Sequence, residues 1–271
     1  MTDKSKAIKL RSTRASDWLY PTLTFAAAVL LWQLVVHLTG IHAIVLPAPM
    51  AVIERMHDAF FILAHNTPPT VLAILGGFLA AVAVGVPLAI LIVASPKFEK
   101  AFYPLLLGSQ GVPKVALAPI FIVWFGFGFL PKILIAMLIA FFPIVIDTVA
   151  GLRSIDPGYL HLARSMGASR GKIYWRLLFP NSLPHMFAGF KVAMALAIVG
   201  AIVGEMVGAN SGLGYILVVA NGNLDMALVF AVLVWLVVVS LVLTGLIELL
   251  ERFALPWSRK SRNEVLARGS A

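Results

Sequence analysis

Apolar residues run through this chain in long blocks, and the polar residues gather between them. Residues 70–96 carry no charged side chain, and residues 226–247 are equally clean. A bilayer crossing takes roughly 20 apolar residues, so the pattern predicts membrane spans. We read six: residues 19–38, 70–94, a stretch between Lys100 and Lys132, then 133–149, 186–207 and 226–250. Between the first two lies a mixed segment behind Pro47 and Pro49. Its Met50, Ile53, His57, Phe60 and Phe61 recur at helical spacing, which predicts an amphipathic helix on the outer interface. Residues 208–225, rich in turn formers, predict a short interfacial helix before the last span. The expected class is all-α transmembrane. One membrane domain, 19–255, lies between an N-terminal tail, 1–18, and a C-terminal tail, 256–271.

The third span departs from this pattern. Pro104, Pro113, Pro119 and Pro131 interrupt it, Gly108, Gly111, Gly126 and Gly128 add break points, and Lys114 is its one internal charge. A straight helix of that length, rising ~1.5 Å per residue, overshoots a hydrocarbon core of ~30 Å. A broken or strongly tilted helix is expected. Irregular backbone at that depth survives only against protein or a water-filled path, which places this stretch along a conduit.

Composition agrees with a membrane protein: 61% of the 271 residues are hydrophobic and 12% charged, against about 25% charged in soluble domains. The net charge of +9 is segregated rather than spread. Lys4, Lys6, Lys9, Arg11 and Arg14 lie in the first tail, and Lys97 and Lys100 in a short turn. Arg153, Arg164, Arg170, Lys172 and Arg176 lie in residues 151–185, and five more from Arg252 onward. These segments alternate with the spans as the positive-inside bias requires, so both termini and residues 151–185 are expected on the cytoplasmic side. The basicity is topological and does not call for a nucleic-acid partner. The chain has no cysteine, which excludes disulfides and thiolate metal sites. Its N-terminus lacks the cleavage pattern of a signal peptide.

Residues 151–185 order their signals as helix, glycine turn at Gly167, helix and proline stop at Pro180, which describes a folded docking element. Here His161-Leu162-Ala163 is followed by Gly167 and then by Leu177-Leu178-Phe179-Pro180. This resembles the cytoplasmic Glu-Ala-Ala loop of bacterial binding-protein-dependent ABC importer permeases. Ala163, Gly167 and Pro180 match the pattern of that family, whereas His161 and Leu162 replace its leading Glu-Ala. The resemblance extends over LPAPMAVI (46–53), VPKVALAPIFIVWFGFG (112–128), GLRSIDPG (151–158) and VGEMVGANSGLGYIL (203–217). All four are similar to the nitrate, sulfonate and taurine branch, which also includes pyrimidine-precursor and riboflavin permeases.

The resemblance implies the six-helix fold of type I importer permeases in a bacterial inner membrane. It also implies a second, identical permease copy, two cytoplasmic ATPases and an extracytoplasmic binding protein. Two short helices around the Gly167 turn present Ala163, Ser165, Ala168 and Ser169 as a knob for the groove of the ATPase. Arg164, Arg170 and Lys172 either join that contact or face lipid and water. Catalytic groups and cofactors are not expected in the chain. Gly167–Ile173 falls one residue short of a phosphate-binding loop, lacks its hydroxyl residue and has no preceding strand. ATP and Mg²⁺ then belong to the partner ATPase. The six histidines have no metal-ligand spacing.

Further candidates lie in the spans. Gly200, Gly204 and Gly208 form two overlapping small-residue repeats that permit close helix packing, within the subunit or across a dimer. Glu205 adjoins them as an intramembrane acid. Lys114 falls near mid-membrane, where a charge costs roughly 2.5–3.5 kcal/mol unless it meets water or a partner. It either pairs with Asp147 or Glu205 or lines the path. Gln110, Trp124 and Asn210 complete the candidate path, and Lys191 is expected to snorkel from the inner end of its span. The rival class is a self-sufficient ion-coupled transporter. Such folds show paired broken helices in two halves, and only the stretch at 108–119 answers that description here.

Overall fold

A computed structural model describes residues 16–256. The basic residues of both tails, 4–14 and 259–268, lie outside the described residues. The architecture is all-helical. The amphipathic segment forms α2 (Pro49–Asp58), after α1 (Ser16–Thr39). Then come α3 (Phe60–Ala94) and α4 (Pro96–Ser109), a 3₁₀ turn (Lys114–Leu117) and α5 (Ala118–Phe125). After α6 (Phe129–Arg153), α7 (Pro157–Ser165) and α8 (Arg170–Ile173), a π turn (Tyr174–Leu178) leads into α9 (Phe179–Gly208). The short α10 (Leu213–Gly222) and long α11 (Met226–Ala254) close the order. Among the described residues, five helices are long and apolar enough to cross a membrane, and six if the bent α4–α5 unit counts as one.

The core is built by α3, α6 and α9, with α10 and α11 laid against them. Small residues set the spacing: Ala73, Ala81, Ala136, Ala140, Ala193, Ala197 and Ala201 are essentially buried at the helix contacts. Large apolar side chains such as Phe61 and Leu241 point outward, the inverse of a soluble bundle and the arrangement expected in lipid. The peripheral α1 touches the bundle through α2 and through Trp32, whose ring lies 5.6 Å from that of Phe230.

Several boundaries differ from the sequence pattern: the turn expected around Lys97 and Lys100 is the first turn of α4, and Phe60 and Phe61 of the amphipathic stripe belong to α3. The helix expected to begin at Thr70 starts at Phe60 and runs through Pro68 and Pro69. Asn66 donates to the Ile62 carbonyl (2.9 Å) and Thr67 to the Leu63 carbonyl (2.7 Å), holding the turns around the two prolines. Pro180 does not stop its helix either. Residues 171–208 form one continuous 38-residue helix. The wide turn before Pro180, in which the Phe179 N–H reaches back to the Tyr174 carbonyl, makes room for a ring that a regular α-turn would reject.

The third span is broken as its Gly and Pro content predicts. α4 and the 3₁₀–α5 segment meet at 88°, and Gly126, at φ +76°, turns the chain into α6.

Candidate functional site

The polar loop between α6 and α9 is a folded element. Asp156 caps α7 by accepting the Gly158 N–H at 2.7 Å, with Pro157 in the first turn, where its missing N–H costs nothing. At the other end Gly167 adopts φ +74°. Its N–H bonds the Arg164 carbonyl (2.9 Å), and the Ala168 N–H bonds the Ala163 carbonyl (3.0 Å). This is a Schellman closure, which needs a left-handed residue at that position. The Ser169 side chain then accepts the Lys172 N–H at 3.4 Å to open α8. The turn leaves Arg164, Ser165, Gly167 and Ser169 exposed, with Ala163 and Ala168 half-buried beneath them. Pro180 lies half-buried beyond the π turn. Asn181 donates to the Ser154 hydroxyl (2.9 Å), and Arg153 pairs with Glu99 of α4 at 2.6 Å, tying the base of the element to the bundle.

That base is rigid because α6 and α9 touch along their length. A Cβ on Gly151 would lie 2.8 Å from the Ser182 carbonyl oxygen, one on Gly200 2.6 Å from the Ala136 Cα, and one on Gly204 2.9 Å from the Lys132 Cα. Gly208 meets Ile122 and Phe127. The repeat of small residues therefore packs inside this subunit, against α6 and α5.

At the opposite end of the same helix pair is a polar cluster. Glu205 is 1% exposed and Lys132 4%, and they face each other at 3.7 Å. Thr70 donates to the Glu205 carboxylate (3.0 Å) and accepts the Leu213 N–H (2.8 Å). The Gly214 N–H donates to Glu205 (2.8 Å), Lys132 Nζ to the Ser211 carbonyl (2.9 Å), and the Gly212 N–H to Asn66 Oδ1 (2.9 Å). Gly212, at φ +113°, sits against the carboxylate with no room for a Cβ. Thus α3, α6 and α9 together hold the loop before α10. The sequence pattern, which takes Lys132 as a flanking charge at the end of a span, gives no sign of this pair.

Lys114 pairs with neither Asp147 nor Glu205. Its Nζ lies 4.1 Å from the centroid of the Phe142 ring, a cation–π contact, beside a cavity of ≈ 290 Å³ lined also by Ser109 and Phe141. Gln110 is exposed at the end of α4 and Trp124 is exposed on α5, while Asn210 borders a separate ≈ 200 Å³ cleft with Lys132 and Phe127. The five residues of the candidate path do not converge: Glu205 is enclosed in the polar cluster, and Lys114, Gln110 and Trp124 follow the broken span. Lys191 does more than snorkel, since it pairs with Glu251 of α11 at 2.5 Å.

Comparison with known proteins agrees with this geometry. Residues 73–255 match the family described as binding-protein-dependent transport system inner membrane component, and the chain belongs to that family. It is similar to the formylaminopyrimidine transport permease protein of Halalkalibacterium halodurans, with 36% identity over 91% of this chain and 99% of that one. It is likewise similar to the riboflavin transport system permease protein of Chloroflexus aurantiacus, with 37% identity over 92% and 94% of the two chains. Its fold matches a solved structure of the inward-facing MetNI methionine ABC transporter at a TM-score of 0.64 and 20% identity, over 73% of this chain and 98% of that one. The chain is a multi-pass permease subunit of an ABC transport system rather than an enzyme, and it works with an ATPase and a substrate-binding protein.

Proposed function

We propose that this permease conducts a small solute inward as one of two identical subunits, each gripped by one of two cytoplasmic ATPases. Both termini and residues 151–185 face the cytoplasm, where basic segments are retained, and the binding protein delivers solute from the opposite side. ATP and Mg²⁺ are bound by the ATPases. The observation that carries this reading is the exposed α7–Gly167–α8 element at the end of a continuous 38-residue helix. An ATPase groove closing on Ala163, Ser165, Gly167, Ala168, Ser169 and Arg170 would drive α6 and α9 as one lever, because their backbones are in contact. The solute path follows the broken span past Gln110, Lys114 and Trp124.

The relatives named for formylaminopyrimidine and riboflavin support a small organic solute, selected mainly by the binding protein. Because the chain has no cysteine, Ser169→Cys is a unique thiol. It should react with an impermeant thiol reagent only after the cells are opened, and co-expressed ATPase should shield it. Labelling of intact cells would overturn the orientation and the coupling role together.

A further inference from the structure

Beneath α7 a crevice of ≈ 670 Å³ opens between the inner end of α3 and the start of the long helix. Its walls are of two kinds. Val93, Ala94, Ile173 and Leu178 supply an apolar side, and Arg164 and Tyr174 supply a polar one. Ala94 is the last residue of α3, immediately before Ser95-Pro96-Lys97. The crevice therefore straddles the level at which the bundle leaves the apolar layer. Trp175, 63% exposed beside it, marks the same level, since tryptophan collects at membrane interfaces.

Among the described residues, neither polar group meets a partner. Arg164 forms no ion pair among the described residues, and Asp156, the one acid between 151 and 185, is used in capping α7. The Tyr174 hydroxyl is buried and meets no hydrogen-bond partner among the described residues. A buried unmet hydroxyl is costly and calls for a hydrogen-bond partner. Tyr174 and Leu178 are also the first and last residues of the π turn, a distortion that is frequent at functional sites.

We infer that this crevice binds an anionic phospholipid of the inner leaflet. The phosphate is held by Arg164 and, once its ring tips toward the crevice, by the Tyr174 hydroxyl, and an acyl chain lies along Val93, Ala94, Ile173 and Leu178. A basic pocket between spans on the cytoplasmic side is the setting in which such headgroups are held. The bound lipid would wedge the coupling element against α3, so that the anionic lipid content of the membrane regulates how stiffly α7 follows the ATPase. The assignment to the inner leaflet rests on the orientation proposed above.

The test uses the full chain purified with its ATPase and probed by native mass spectrometry with phosphatidylglycerol and phosphatidylethanolamine of matched acyl chains. One arginine contact favours the anionic lipid by about fivefold. Arg164→Gln should bring that ratio to parity, and Tyr174→Phe, which keeps the ring, should weaken retention while the protein stays monodisperse. An unchanged ratio in Arg164→Gln would overturn the site. So would displacement of the lipid by inorganic phosphate alone, which would make this a free-anion site. Protection of Ala94→Cys from a thiol reagent by the ATPase rather than by phosphatidylglycerol would show the crevice to be a protein contact. Outside labelling of Ser169→Cys would remove the orientation and the inner-leaflet assignment with it, whereas a failed lipid ratio with correct orientation removes this site alone.

Discussion

Lys132 and Glu205 meet at 3.7 Å inside the bundle, and each also binds the backbone of one loop, the ammonium at the Ser211 carbonyl and the carboxylate at the Gly214 N–H. The pair thereby fixes where α9 ends and α10 begins. Because the two residues lie on α6 and α9, it also closes the end of the helix pair opposite the one that carries the α7–Gly167–α8 element.

Removing one partner strands the other charge. Glu205→Gln or Lys132→Met should each destabilise the purified protein by about 3–5 kcal/mol, the range for breaking a buried pair. The double variant should lose at least about 1 kcal/mol less than the sum of the two. Denaturant unfolding in detergent measures both quantities, and additive losses would show that the pair is not coupled.

Gly167 is a conformational requirement without a packing one, since nothing lies within 4 Å of a Cβ built there. Gly167→Val should therefore insert and fold, with a local penalty of about 1–2 kcal/mol for left-handed backbone, yet lose ATP-coupled uptake. Gly167→Asn, whose side chain tolerates that region, should recover most of the uptake. Equal uptake in all three proteins would remove the turn from the coupling mechanism.

Arg55 holds Asp225 through Nε (2.9 Å) and Nη2 (2.8 Å) on one carboxylate oxygen, while the other caps α11 at the Leu228 N–H (3.0 Å). Partial burial alone would raise the Asp225 carboxyl, but the Arg55 and Leu228 hydrogen bonds and the Arg55 charge together hold it below the usual carboxylate range. A carboxyl depressed on folding adds stability that is complete above its unfolded value of about 3.9 and is lost as pH falls through the lower folded value. Melting curves of the wild type should fall more steeply than those of Asp225→Asn below about pH 4. Parallel curves would assign the acid sensitivity to other groups.

Lys114 has an aromatic ring and a cavity beside it and no carboxylate in salt-bridge reach among the described residues. As a path residue it should affect transport more than folding. Lys114→Met should lower uptake about tenfold, the loss expected from one charge-assisted contact, with little change in melting temperature. A matched loss of stability and uptake would make the Phe142 contact structural.

Much of this protein is legible along the chain because its physics is local. Apolar length counts the spans, Gly and Pro break the third one, and Gly167 marks the turn after α7. What only the tertiary structure decided depends on residues that are far apart in sequence. Lys132 has the look of a span-end charge until packing brings Glu205 to it. Gly200 and Gly204 allow close approach without naming a partner, and α6 proves to be that partner. The prolines at 68, 69 and 180 are read as boundaries on local rules, yet they sit inside helices. A proline ring removes one backbone donor, and the helix runs on past it only where side-chain hydrogen bonds or a widened turn hold the adjoining residues, as they do here.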